Sequence, residues 1–150
     1  MNAGTKTALI AALLVASLPL AAWADAAAGG DIAVTVSTLR NLRGHIICAL
    51  FDSAEAFDKR LPAMKVSVDP ATPSANCVFH GVKPGTYAVT VVHDENDDGK
   101  LDTNFFGMPK EGYGVSNNHT YAMHGPVFSE SRFAFPGSDN LNLAIDLRYP

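Results

Sequence analysis

Leu141, Leu143, Ile145 and Leu147 alternate with Asn140, Asn142, Ala144, Asp146 and Arg148. A strand puts two such sets on opposite faces, because its side chains repeat every second residue. This segment is therefore a strand with one face in a core. The same alternation runs through Ile32, Val34 and Val36, set against Ala33, Thr35 and Ser37, and again from Met64 to Val68. Gly44 opens a near-continuous apolar run, His45 to Phe51, which reads as a central strand covered on both faces. Cys77 to Val82 and Thr86 to Val92 read as a hairpin. Val82-Lys83-Pro84-Gly85 joins them, with Pro and Gly suited to the middle of a type II turn. Arg132 to Phe135 is a further short strand, and Ser53 to Asp58 a single helical turn capped by Asp52 or Ser53. Short strands, little helix and regular turn signals predict an all-β chain. The expected architecture is an antiparallel Ig-like or transthyretin-like β-sandwich of about seven strands with one long ordered loop.

The first 24 residues read differently. Lys6 precedes an apolar run from Ala8 to Leu20, and Ala22-Trp23-Ala24 offers the small residues of a cleavage site. That is the make-up of a secretory signal peptide. As a membrane span the run is short, and Pro19 interrupts it. Cleavage would leave a flexible leader, 25–30, and a single domain, 31–150, with no later segment of spanning length. The protein is expected to be exported, either periplasmic or secreted. In an oxidising compartment the even pair Cys48 and Cys77 favours a disulfide. Such a bridge is worth about 3–4 kcal/mol in the chain-entropy model. Neither cysteine lies in a CxxC pair, so no redox role is expected.

The acids are unevenly placed. Asp and Glu total 15 against 11 Lys and Arg, a formal net charge of −4. Asp94, Glu95, Asp97, Asp98 and Asp102 fall within nine residues that contain one base, Lys100. No basic patch exists for nucleic acid. Numbered from Asp94, the side chains of Asp94, Asn96 and Asp98 take positions one, three and five of a calcium loop. Gly99 takes six, the Lys100 carbonyl seven and Asp102 nine. Position twelve, where a bidentate Glu belongs, is Phe105, so Asn104, Glu111 or water would have to complete the shell. Ca²⁺ is the cofactor this pattern suggests, held weakly, on the order of 10⁻⁴–10⁻³ M. The competing account is a tight acidic turn in which Asp and Asn bond their own backbone. Against it stands the mutual repulsion of five carboxylates, which a cation would relieve.

From Asp94 to Val127 the strand rhythm breaks. A segment this long without strands is functional or disordered, and its aromatics argue for order. Phe105, Phe106 and Tyr113, with Asn117 and Asn118, could form a surface for a glycan or a peptide. The same aromatics could instead be a small core that holds the loop down. The histidines His45, His80, His93, His119 and His124 lack HxH or HxxxH spacing. His93 would suit Zn²⁺ only with His119 or His124 folded beside it. There is no Gly-x-Ser-x-Gly elbow around Ser116, and no carboxylate is marked as a raised-pKa acid.

The run from His93 to Asp102, continued by Asn104-Phe105-Phe106-Gly107-Met108-Pro109-Lys110-Glu111-Gly112-Tyr113-Gly114 and Ser116-Asn117-Asn118, resembles the signature of a family of small exported bacterial proteins. That family is known as domain of unknown function 2141. The resemblance spans roughly residues 31–149. It implies a sandwich fold and a bacterial envelope or secreted protein, and it carries over no catalytic residues. More loosely, Gly81 to Val89 is similar to a hairpin of transthyretin-like and carboxypeptidase-regulatory-like domains. The expected function is a non-catalytic binding or interaction module of the envelope, acting on an envelope protein or glycan and stabilised by Ca²⁺. The alternatives are an envelope hydrolase using loop carboxylates or His93, and a purely structural protein.

Overall fold

Alternation becomes burial along β1 (Gly30–Ser37), where Ile32, Val34 and Val36 are fully buried and the residues between them are not. The computed structural model describes residues 29–120 and 124–150. The expected signal peptide, most of the leader and residues 121–123 of the long loop lie outside the described residues. β1 is the middle strand of a three-stranded sheet. It is flanked by β4 (Ala75–Val82) and β8 (Leu141–Asp146). The second sheet runs β3 (Met64–Val68), β2 (His45–Phe51), β5 (Gly85–Asp94), β6 (Gly112–Val115). β7 (Phe133–Phe135) pairs with the first residues of β5. The two sheets stack as a sandwich. Ile32, Val34, Val36, Phe79 and Ile145 on one side meet Ile46, Leu50, Val89 and Val91 on the other. Each such side chain contributes about 1.5–3 kcal/mol on full burial.

β2 is covered on both faces, as its unbroken apolar run requires. Its inner face joins the main core. Its outer face carries Ala49 and Phe51, which pack with Phe57 of α1 (Ala54–Asp58), Ala88 and Phe128 of α2 (Phe128–Ser131). Edge-on ring contacts run Phe51 to Phe57 at 5.1 Å and Phe57 to Phe128 at 6.1 Å. Ser53 caps α1 by accepting the Ala56 N–H. Cys48 in β2 and Cys77 in β4 form a disulfide that ties one sheet to the other.

Three features differ from the sequence expectation. β4 and β5 are not a hairpin: β4 pairs with β1, and β5 with β2, β6 and β7. The Pro84-Gly85 link carries the chain between sheets, and Gly85 is not among the residues with positive φ. Proline and glycine mark a change of direction, and the buried faces on either side decide whether the strands then pair. Second, β1 and β8 run parallel, while the other pairs among the described strands are antiparallel. Third, the long loop contains a strand. Gly112 and Gly114 of β6 look like loop residues, yet they are glycines for closeness. A Cβ on Gly114 would lie 2.6 Å from Ile145 Cγ2, and one on Gly112 would lie 2.4 Å from the Tyr149 ring. Gly114→Ala is therefore expected to destabilise by about 1–3 kcal/mol, the usual cost of overpacking. A urea midpoint unchanged from wild type would contradict this packing.

Candidate functional site

β5 delivers Asp94 to the end of the sandwich with its side chain buried, and the acidic loop is built on that carboxylate. Asp94 Oδ1 accepts the Asp98 N–H at 3.1 Å and Oδ2 accepts the Gly99 N–H at 2.7 Å. The turn closes because Asp97 and Gly99 take positive φ, 61° and 82°. Asn96 Oδ1 accepts from the Asp98 N–H, and Asp98 Oδ1 from the Lys100 N–H. The Asn96 amide then donates to Asp102 at 3.2 Å. These are self-bonding turns of the kind Asp and Asn form most readily.

Glu111 locks the two legs of the loop. It is 5% exposed. One carboxylate oxygen accepts the Glu95 N–H at 2.9 Å and the other accepts the Asp102 N–H at 3.0 Å. So the first residue after β5 and the start of the outer turn share one side chain. Its position relative to the loop becomes clear only once β6 is recognised as a strand.

Three of the five acids, Glu95, Asp97 and Asp98, have basic partners within the chain. Arg40, in the connection between β1 and β2, forms a two-point pair with Glu95 at 2.7 and 2.6 Å. The Arg40 guanidinium also lies 4.6 Å over the Tyr149 ring. Pairing with Glu95 raises the Arg40 pKa, and pairing with Arg40 lowers that of Glu95. Lys100 Nζ sits 3.2 Å from Asp98, which raises the lysine pKa. His45, at the start of β2, bonds Asp97 through Nδ1 and Asp69 through Nε2, the latter at 2.9 Å. Asp97 is the chief reason its pKa is raised.

That shift sets a pH dependence. A group whose folded pKa exceeds its unfolded value of about 6.5 adds stability that is complete below the unfolded pKa. The contribution then fades as pH rises through the folded pKa. The melting-temperature difference between wild type and His45→Gln is thus expected to be largest near pH 6 and to shrink toward pH 9. A difference independent of pH would contradict the pairing.

His93 is fully buried beside the loop. Its Nε2 faces the Arg43 carbonyl at 2.8 Å. A carbonyl can only accept, so Nε2 carries a proton. Nδ1 lies 2.7 Å from the Tyr149 hydroxyl, which also accepts the Arg40 backbone N–H at 3.2 Å. In the neutral ring Nδ1 accepts the hydroxyl proton. His93 thus cross-ties the base of the loop to the last residues of the chain. His119 lies 3.5 Å from Glu130, and His124 bonds the Gly125 carbonyl.

Beyond Asp102 the loop narrows to a turn. Thr103 and Pro109 form an isolated bridge. Asn104 Oδ1 accepts the N–H groups of Phe106 and Met108 at 2.9 and 3.0 Å. The Asn104 N–H donates to the Met108 carbonyl, and Gly107, at φ 78°, donates to the Asn104 carbonyl. The result is a bonded turn whose apolar side chains point outward. Phe105 is 98% exposed, Phe106 84% and Met108 59%. The two rings stack edge-on at 5.5 Å.

The five residues expected to form a ligand surface therefore separate. Phe105 and Phe106 stand free at the tip. They do not hold the loop down, so the small-core account fails for them. Tyr113 is half-buried in β6 opposite Val92. Asn117 donates to the Glu130 and Arg132 carbonyls, while Asn118 bonds the Ala144 carbonyl and the Asp146 N–H. Those two amides are structural, and they tie the chain after β6 to α2 and β8. The residues expected to hold a metal, Asp94, Asn96, Asp98, Lys100 and Asp102, do come together in one turn. Their oxygens are engaged chiefly by the turn's own amides and by Lys100. Among the described residues no group of three or more His, Cys, Asp or Glu is placed to hold a metal ion. No helix among them is long and apolar enough to cross a membrane.

Residues 34–143 match the family described as "Uncharacterized protein conserved in bacteria (DUF2141)". No curated protein and no solved structure matches the chain.

Proposed function

The chain belongs to the DUF2141 family, and from that premise we propose that it is an exported, non-catalytic binding module. Its working part is the loop between β5 and β6. The sandwich provides a rigid end, Glu111 and Asp94 fix the loop on it, and the loop displays Phe105 and Phe106. The observation that carries this reading is the exposure of two aromatic rings on a turn closed by its own hydrogen bonds. Apolar side chains that contribute nothing to the core cost solubility, and exposed apolar patches mark interaction sites. A hydrolase has less support, since the two buried loop acids, Asp94 and Glu111, each spend both carboxylate oxygens on backbone N–H groups of the loop.

The test is a stability measurement. Phe105→Ser/Phe106→Ser is expected to shift the free energy of unfolding by no more than about 0.5 kcal/mol, as for surface changes in general. A larger loss would mean that the rings hold the fold together, and the binding reading would fall.

Ca²⁺ is a separable part of the proposal. In its favour, Asp94, Asn96 and Asp98 face into one turn, and Gly99 makes the sharp bend at position six. An ion would have to draw Asp98 away from Lys100. A rise in melting temperature at millimolar Ca²⁺, lost in Asp98→Ala, supports it. A flat titration removes the ion and leaves the module.

A further inference from the structure

We propose that the Phe105–Phe106–Met108 tip docks into the interfacial layer of a phospholipid bilayer with zwitterionic headgroups. The inference rests on the binding-module reading and names its partner.

Three observations on this chain select the lipid surface. The first is area. Two Phe side chains can bury about 150–250 Å² each. Even with Met108 that falls well short of the ~800 Å² per partner of a standard protein interface. A second copy of this chain meeting the tip would gain too little contact to hold. The second is shape. The tip is a narrow convex turn, closed by the Asn104 hydrogen bonds and the Thr103–Pro109 bridge. A convex point suits a fluid apolar layer, which needs no matching contour. The third is charge. Lys110 is exposed at the foot of the turn, where its backbone N–H bonds the Asp102 carbonyl. An ammonium one step behind inserted rings can reach lipid phosphates while its stem lies along the apolar boundary. The chain as a whole is acidic, with a formal net charge of −4, so a strongly anionic surface would repel it. Phosphate paired with an amine in the same headgroup satisfies both conditions.

Binding of this kind is weak and reversible, below the ~10⁴ M⁻¹ of a single myristoyl chain. It would bring the sandwich to the membrane without inserting it.

The test uses the exported form, residues 25–150, carrying Phe106→Trp. That form lacks the apolar run 8–20, which would itself enter vesicles, and it lacks Trp23, so the introduced indole is its one tryptophan. Vesicles of phosphatidylcholine and phosphatidylethanolamine are expected to blue-shift the emission of the introduced indole at millimolar lipid, and brominated lipid tails to quench it. Adding Phe105→Ser and Met108→Ser is expected to lower the partition on the order of tenfold, and Lys110→Glu to lower it further. Emission that is the same with and without vesicles overturns the proposal. So does a blue shift that grows with protein concentration in the absence of lipid, which would identify a second copy as the occupant. A shift seen with phosphatidylglycerol vesicles alone overturns the choice of headgroup. If Phe105→Ser/Phe106→Ser also unfolds the protein, the binding-module reading fails. If the fold holds and the emission does not move, the lipid inference alone fails.

Discussion

Replacing both Cys48 and Cys77 by alanine is expected to lower the stability of the domain by about 3–4 kcal/mol. For a domain of this size that corresponds to a fall of roughly 10–15 °C in melting temperature. The two residues are 29 apart in sequence and fully buried. Their bridge joins the second sheet to the first through β2 and β4. The native sandwich does not need the bond for its shape, because Ile32, Val34, Phe79, Leu50 and Val91 pack across the same interface. The loss falls mainly on the unfolded chain, which gains the freedom that the cross-link removes. Two measurements separate this from a simple loss of packing. The denaturant m-value should rise, since the opened chain exposes more surface. Leu50→Ala should destabilise to a similar extent with m unchanged, because it removes core contacts and leaves the cross-link. A double-alanine variant with an unaltered midpoint would show that the bridge does not constrain the chain.

Glu111→Ala is expected to have the next largest effect, about 2–4 kcal/mol. It strands the Glu95 and Asp102 N–H groups, each now bonded to a carboxylate oxygen. Hydrogen bonds to a charged group contribute about 1.5–3 kcal/mol each, and a buried donor left unmade costs a similar amount. Water can reach the Asp102 side once the loop loosens, so the full sum is not expected. Glu111→Gln keeps one accepting oxygen and turns an N–H₂ toward the other donor. It should fall about midway. Amide hydrogen exchange at Glu95 and Asp102 is expected to accelerate in both variants, more in the alanine. If Glu111→Ala melts with wild type, the residue does not hold the loop.

Much of the sandwich was legible because strand burial writes a period of two into the sequence. β1, β3 and β8 alternate, β2 is apolar throughout because helices cover its outer face, and Ser53 caps its helix. What was not legible depends on partners distant in sequence. Nothing local in Pro84-Gly85 says whether β4 turns back on β5 or crosses to the other sheet. Gly112 and Gly114 resemble loop residues until Tyr149 and Ile145 are placed beside them. The parallel pairing of β1 with β8 joins opposite ends of the domain. At the site, the acidic spacing fits a cation loop and a tight turn alike, and the chain does bend at Gly99, where φ is 82°. The cations that answer its charge were harder to see. Arg40 and His45 lie about fifty residues upstream and reach the loop only through the fold. The exposure of Phe105 and Phe106 was also hidden, since an aromatic pair in a Gly-rich loop reads equally well as a small core. The Asn104 side chain, which bonds two amides of the turn, decides that they face outward.

The account depends on a loop that holds its own shape and carries two aromatic rings into solvent. Backbone ¹⁵N order parameters for residues 96–108, recorded on chelator-treated protein, test that most directly. Values close to the ~0.85 of the flanking strands are the expected result. Values below about 0.6 through Asp98, Gly99, Phe106 and Met108 would contradict it, because those four amides make the hydrogen bonds on which the turn is built.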